Sequence, residues 1–225
     1  MADAFNVMEE YVKCVARKHA NGLLICGPGG IGKTETVIRT LRAERLTVGE
    51  QYMHVKGYST PLGLYNYLYE NANRLVVFDD CDSVFKDLTG LNVLKSVLET
   101  TQRRVVCWNS TSAKVEIPEF VFKGQIIFIS NMDPSKTTNS NFIALLTRCF
   151  NLVISATPEE ILFRMAQILP EVASTRSILE QNEILIFLKD NYKNYQNLSL
   201  RLLVNIVSLR RYSPTNWRTL ALNLT

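Results

Sequence analysis

Two kinds of apolar pattern alternate along the first two thirds of the chain, and one of them disappears from the last third. Unbroken apolar runs at 23–25, 75–78 and 126–129, each bounded by polar residues, predict short strands buried on both faces. Weaker runs at 51–55 and 150–155 predict two more strands. Between them, apolar residues recur at threes and fours. Phe5, Met8, Val12 and Val15 predict a helix over 4–20, and Val37, Ile38 and Leu41 predict one over 33–45. Thr60 followed by Pro61 reads as an N-cap and first helical residue, with Leu62, Tyr65, Leu68 and Tyr69 on one face. Further short helices are predicted at 91–98 and 141–147. Strands alternating with helices predict a mainly parallel five-stranded sheet covered on both faces, a three-layer αβα arrangement.

From Thr157-Pro158-Glu159-Glu160, a capping box with proline in its first turn, only helical spacing remains. Helices are predicted at 158–168, 178–191, 198–211 and 214–222, the third with Leu198, Leu202, Val204, Ile206 and Leu209 inward. The change of pattern puts a domain boundary near residue 156, dividing an α/β domain (1–156) from a small all-helical domain (157–225). One segment interrupts the alternation. The β-like runs 103–108 and 119–122 flank a polar stretch, which predicts a β-hairpin within about 103–123, with Lys114 at its tip and Arg103 and Arg104 at its base.

The first strand runs into Gly27-Pro28-Gly29-Gly30-Ile31-Gly32-Lys33-Thr34. This is the G-x-x-x-x-G-K-[ST] phosphate loop, whose glycines let backbone N–H groups turn round a phosphate chain at the positive end of the following helix. Lys33 is expected to reach the β- and γ-phosphates of ATP, and Thr34 to ligate Mg²⁺. About 45 residues downstream, the strand 75–78 delivers Asp79 and Asp80 to its carboxyl end, where parallel sheets bind ligands. Asp79 is expected to hold Mg²⁺, and Asp80 to orient or deprotonate the attacking water. Asn131, at the end of the 126–129 strand, can hydrogen-bond the γ-phosphate or that water. Asp82 reads as a helix cap, and Arg201 as a cation that a helical lid would point at the nucleotide.

Charge and cysteine content narrow the setting. A formal net charge of +4 permits nucleic-acid contact without requiring it, and Lys56, Tyr58, Arg103, Arg104 and Lys114 are the candidate contacts. Five cysteines with no C-x-x-C pair, and only two histidines, speak against a disulfide scaffold or a zinc site and for reduced, mostly buried thiols. The N-terminus lacks the basic start and apolar run of a secretory signal, and no apolar run approaches a membrane span. The expectation is a soluble cytoplasmic protein, in the host cytoplasm if viral, without membrane contact.

With these pieces in order, the chain resembles the AAA+ ATPases over nearly its whole length. The Walker A loop (27–34), the Walker B strand (75–80), the first-sensor residue Asn131, the arginine-finger box Leu146-Thr147-Arg148-Cys149 and the second-sensor residue Arg201 carry the resemblance. It implies Mg²⁺-dependent ATP hydrolysis in a ring or spiral homo-oligomer, six subunits being the expected number, with Arg148 serving the neighbour's nucleotide. The phrasing RLVVFDDCDSVF, CWNSTS and GQIIFISN resembles small ATPases of phages and mobile elements. An aspartate at 80, where most of the family has glutamate, implies slower turnover and is shared with helicase-loader and initiator-like members. A replication helicase, helicase loader or related DNA motor, with a replication partner protein, is the leading expectation. A signalling switch that hydrolyses slowly is the alternative, and a remodelling ATPase gripping a polypeptide through Tyr58 the third.

Overall fold

The computed structural model describes residues 4–57, 60–108, 115 and 117–224. The chain forms two compact units, Met1–Pro28 with Lys33–Ile154, and Gly29–Gly32 with Ser155–Thr225. In the first unit the elements run α1 (Ala4–Ala16), β1 (Gly22–Cys26), α2 (Lys33–Ala43), β2 (Tyr52–Lys56), α3 (Pro61–Glu70), β3 (Leu75–Asp79), α4 (Leu88–Val97), β4 (Arg104–Cys107), β5 (Glu119–Phe122), β6 (Gln125–Ser130), α5 (Ser140–Leu146) and β7 (Phe150–Val153).

Five of the strands make one parallel sheet in the order β2-β3-β6-β1-β7. The three unbroken apolar runs take its centre, where both faces are covered. Leu24, Cys26, Val76, Phe78, Ile126 and Phe128 face a core shared with α3, α4, α5 and the β4–β5 hairpin. On the other side α1 packs on α2 and over β1 and β6, burying Phe5, Met8, Val12, Val15, Val37 and Leu41. Each such side chain contributes ~1.5–3 kcal/mol. The strand order carries a functional consequence: β6 lies between β1 and β3, so the residue that leaves β6 emerges between the glycine loop and the paired aspartates.

Several local features differ from the sequence expectations. α1 stops at Ala16 rather than Ala20, because Lys18 adopts φ 64°, with Lys18 N–H donating to Val15 O and His19 N–H to Cys14 O, a C-cap that ends the helix early. On α3 the buried face is Leu64, Tyr65 and Leu68, while Tyr69 is exposed. Asp82 does not cap a helix. It opens a 3₁₀ turn, Asp82–Phe85, without a side-chain capping bond, and Asp87 is the N-cap of α4, accepting from Gly90 N–H.

The hairpin pairs β4 with β5 antiparallel as a separate two-stranded sheet, and it corrects one expected nucleic-acid contact. Arg104 is only 7% exposed. Its guanidinium donates to Val97 O at 2.8 Å and Gly124 O at 2.7 Å and lies over the Phe122 ring. Burial pushes its pKa down from the ordinary arginine value, but the two carbonyls keep it bonded. Arg104 therefore fastens the hairpin to the end of α4 and the start of β6 and is not available to nucleic acid. Arg104→Met leaves both carbonyls without that donor and is expected to cost about 2–3 kcal/mol, read as a lower urea midpoint.

The second unit comprises α6 (Pro158–Val172), α7 (Ile178–Asn191), α8 (Leu200–Tyr212) and α9 (Trp217–Leu222). Capping boxes start α6 at Thr157 and α7 at Ser177. Trp217 is fully buried, edge-on to Phe187 at 4.9 Å, and the Tyr195 hydroxyl donates to Ala221 O. The inward face of α8 is Leu200, Leu202, Leu203 and Ile206, whereas Val204 is exposed. α6 runs four residues beyond its expected end at 168, through Pro170.

Candidate functional site: a phosphate loop and its acids

The glycine loop leaves β1 in a conformation that side chains would obstruct. Gly27 has φ 154°, and a Cβ there would lie 2.3 Å from Ile154 O. Gly30 and Gly32 also have positive φ, 79° and 99°, values that glycine adopts at little cost. In the second unit, Leu200 N–H donates to Gly30 O at 2.8 Å, and a Cβ on Gly30 would lie 2.8 Å from Ser199 Cβ and 4.0 Å from Arg201 Cδ. The stem of Arg201 thus runs past the third glycine of the loop, and its side chain is exposed.

Lys33 starts α2 and is 95% buried, at 5% exposure. Its ammonium donates to Gly27 O and Pro28 O, both at 2.8 Å, and to Asn131 Oδ1 at 2.9 Å. Asn131 Nδ2 in turn donates to Asp80 Oδ1 at 2.9 Å. Lys33, Asn131 and Asp80 therefore form one hydrogen-bonded chain, possible because Asn131 leaves β6 between β1 and β3. Asp80 takes φ 54°, a left-handed conformation uncommon outside glycine, asparagine and aspartate. That turn re-aims the second acid: Asp79 is buried at 2% exposure, whereas its neighbour Asp80 is exposed.

Thr34 Oγ1 donates to Asp79 Oδ1 at 3.0 Å. A hydroxyl and a carboxylate oxygen held together at the start of a helix are hard oxygen donors of the kind Mg²⁺ takes, so the donor set fits that ion. Among the described residues no group of three or more His, Cys, Asp or Glu is arranged to hold a metal. Water and phosphate oxygens are the usual further donors to Mg²⁺.

Arg148 follows α5. Its Nη1 donates to Ala144 O at 2.6 Å, and its Nε lies 3.6 Å from Glu99 Oε2. Glu99 is itself fixed: Asn21 Nδ2 donates to its carbonyl, and the Thr100 N–H donating to its side chain holds its carboxyl below the usual range. The guanidinium is thus anchored on one side. Arg103 is exposed, Lys56 has its ammonium 3.1 Å from Asp79 Oδ2, and Tyr58 and Lys114 lie outside the described residues. His54, which sequence reasoning passed over, has Nε2 3.2 Å from the same Asp79 oxygen. All five cysteines are free; burial pushes Cys26 and Cys81 up to about 11 and Cys149 to about 12, so these three stay protonated at neutral pH.

No family model matches the sequence. An uncharacterized 36.7 kDa protein of Enterobacteria phage T4, from the nrdC-mobD intergenic region, is 29% identical over 234 aligned positions, covering 96% of this chain and 72% of that protein. Among solved structures, the replication initiator DnaA bound to AMPPCP and single-stranded DNA matches with a TM-score of 0.56 at 14% identity, over 92% of this chain and 60% of that one. A RuvB variant from Thermotoga maritima matches with a TM-score of 0.58 at 12% identity, over 97% of this chain and 67% of that one. The chain thus spans only about three fifths of the DnaA chain it matches, and no helix among the described residues is long and apolar enough to cross a membrane. The structural neighbours are AAA+ P-loop ATPases, and what this chain shares with them is the fold: a P-loop αβα core on a five-stranded parallel sheet, followed by helices.

Proposed function

We propose that this chain is a Mg²⁺-dependent ATPase that works as a homo-oligomer on DNA, as a replication helicase, a helicase loader or a related motor of a phage or mobile element. Residues 1–156 are its nucleotide-binding domain and 157–225 its helical lid, and it acts in the cytoplasm. The observation that carries the reading is the hydrogen-bonded chain Lys33–Asn131–Asp80 beside the Thr34–Asp79 pair. It places one ammonium, one amide and one exposed carboxylate along the carboxyl edge of the sheet, next to a glycine loop built for phosphate.

In this reading the loop N–H groups and Lys33 bind the phosphate chain. Thr34 and Asp79 hold Mg²⁺, which when bound neutralises charge on the phosphate oxygens. Asn131 keeps Asp80 oriented, and Asp80 accepts the proton of the attacking water. Arg148 of a neighbouring subunit stabilises charge developing on the transferred phosphoryl group, a contribution of ~10³–10⁵ in rate for arginine fingers in general. In one subunit Arg148 is half-buried and held by Ala144 O and Glu99, so serving a neighbour's nucleotide requires its guanidinium to leave these partners. The DnaA likeness, in which that protein is bound to single-stranded DNA, and the T4 relative support the DNA and phage parts of the reading, as does the exposed Arg103.

The deciding experiment is steady-state ATP turnover against protein concentration, alone and with single-stranded or duplex DNA. Specific activity that rises with concentration, and rises again with DNA, is expected. Slow turnover that is flat in both, with nucleotide retained through gel filtration, replaces the motor with the signalling switch.

A further inference from the structure

The register of the sheet brings onto Asp79 two groups that no motif contains. His54 and Lys56 are alternate residues of β2 and so project from the same face. In the parallel pairing, Lys56 lies opposite Asp79 and His54 opposite Val77. His54 Nε2 and Lys56 Nζ both approach Oδ2 of Asp79, at 3.2 and 3.1 Å, while Oδ1 accepts from Thr34. The two carboxylate oxygens are therefore divided, one toward the phosphate-loop helix and one toward β2. The Asp79 side chain is 3% exposed and that of Lys56 63%. A buried carboxylate is costly unless its charge is compensated, and the Lys56 ammonium supplies compensation on a stem that reaches in from solvent.

Resting on the nucleotide-site reading above, we propose that Lys56 is an internal counter-cation of Asp79, which competes with the divalent ion for that carboxylate and so sets how much Mg²⁺ the site requires. The argument is electrostatic. A lysine ammonium is a compact point charge on four flexible carbons, and it shares a single carboxylate with the ion that Thr34 and Asp79 would hold. Two cations within a few ångströms repel, by an amount that stays appreciable even at the high effective dielectric of a protein edge. The stem has room to yield, because the Lys56 side chain is 63% exposed. Lys56 is thus a positioning residue of the metal site, and its ammonium is engaged there rather than offered to nucleic acid.

The test is a Mg²⁺ titration of the binding of a fluorescent, non-hydrolysable ATP analogue to the full chain, starting in EDTA. Lys56→Met removes the competing charge and keeps the length of the stem, and it is expected to lower the Mg²⁺ concentration at half-maximal binding by about tenfold. Lys56→Arg, which keeps the charge, is expected to stay close to wild type. Both variants are expected to melt near wild type, since His54 and Thr34 still hold Asp79 and the Lys56 stem is mostly in solvent; Lys56→Gln gives a second neutral side chain for the same readout. An unchanged or raised midpoint in the neutral variants, with a Mg²⁺-responsive wild type, overturns the counter-cation. A wild type that ignores Mg²⁺, or does not bind the analogue, overturns the site reading beneath it.

Discussion

Lys33→Ala is expected to abolish ATP binding at any ordinary nucleotide concentration. Charge-assisted hydrogen bonds contribute ~1.5–3 kcal/mol each, so losing two bonds to phosphate oxygens weakens binding by roughly 10²–10⁴-fold. The structure adds a second route to the same loss. All three N–H donors of the ammonium are engaged, by Gly27 O, Pro28 O and Asn131 Oδ1, so phosphate takes over part of this set on binding, and removing the ammonium also loosens the loop and one end of the chain that leads to Asp80. Lys33→Arg separates the two effects: it keeps a cation, but its larger planar head does not fit a side chain 95% buried at this point (5% exposed), and it is expected to bind weakly rather than not at all. Equilibrium binding of a fluorescent ATP analogue, with a melting curve to show that the variant is folded, checks both. A folded Lys33→Ala protein that binds ATP like wild type would remove the phosphate-loop assignment.

The parts of this site legible in the sequence are those in which neighbours along the chain are also neighbours in space. The glycines, Lys33 and Thr34 sit in one eight-residue motif, and Asp79 and Asp80 end one apolar run, so their types and spacing single them out as candidates. Asn131 was legible as a polar residue at a strand end, but its place between Lys33 and Asp80 was not, because that depends on β6 inserting between β1 and β3. The same holds more strongly for β2. A period-two reading of Tyr52–Lys56 puts His54 and Lys56 on one face, yet only the parallel register with β3 brings that face to Asp79, so the sequence alone shows neither group's tie to that acid. The burial of Arg104 is hidden in the sequence for a different reason. Arginine is almost never fully buried unless paired, and its partners here are two backbone carbonyls, which leave no trace in the pattern of residue types. On α3 the predicted stripe was correct in Tyr65 and Leu68, but packing of the hairpin rotated the buried face onto Leu64 and left Tyr69 at the rim, beside Phe120.

Asp80→Asn is expected to bind ATP like wild type and to turn it over ~10²–10⁴-fold more slowly, the usual range for removing a positioned general base. The substitution isolates the chemistry unusually well here. Asparagine shares aspartate's tolerance of the left-handed backbone, so the φ of 54° that aims residue 80 outward is kept. The acceptor used by Asn131 Nδ2 is the side-chain oxygen Oδ1, which asparagine retains, so the chain from Lys33 survives and only the basic oxygen is lost. Asp79→Asn makes the contrasting case. That acid is buried and holds Thr34, His54 and Lys56, so its neutralisation is expected to raise the Mg²⁺ requirement for binding as well as to slow turnover. Single-turnover hydrolysis at saturating nucleotide, beside a binding isotherm for each variant, separates the two acids. If Asp80→Asn hydrolyses at the wild-type single-turnover rate, Asp80 is not the base, and the exposed carboxylate beside Asn131 has some other use than activating water.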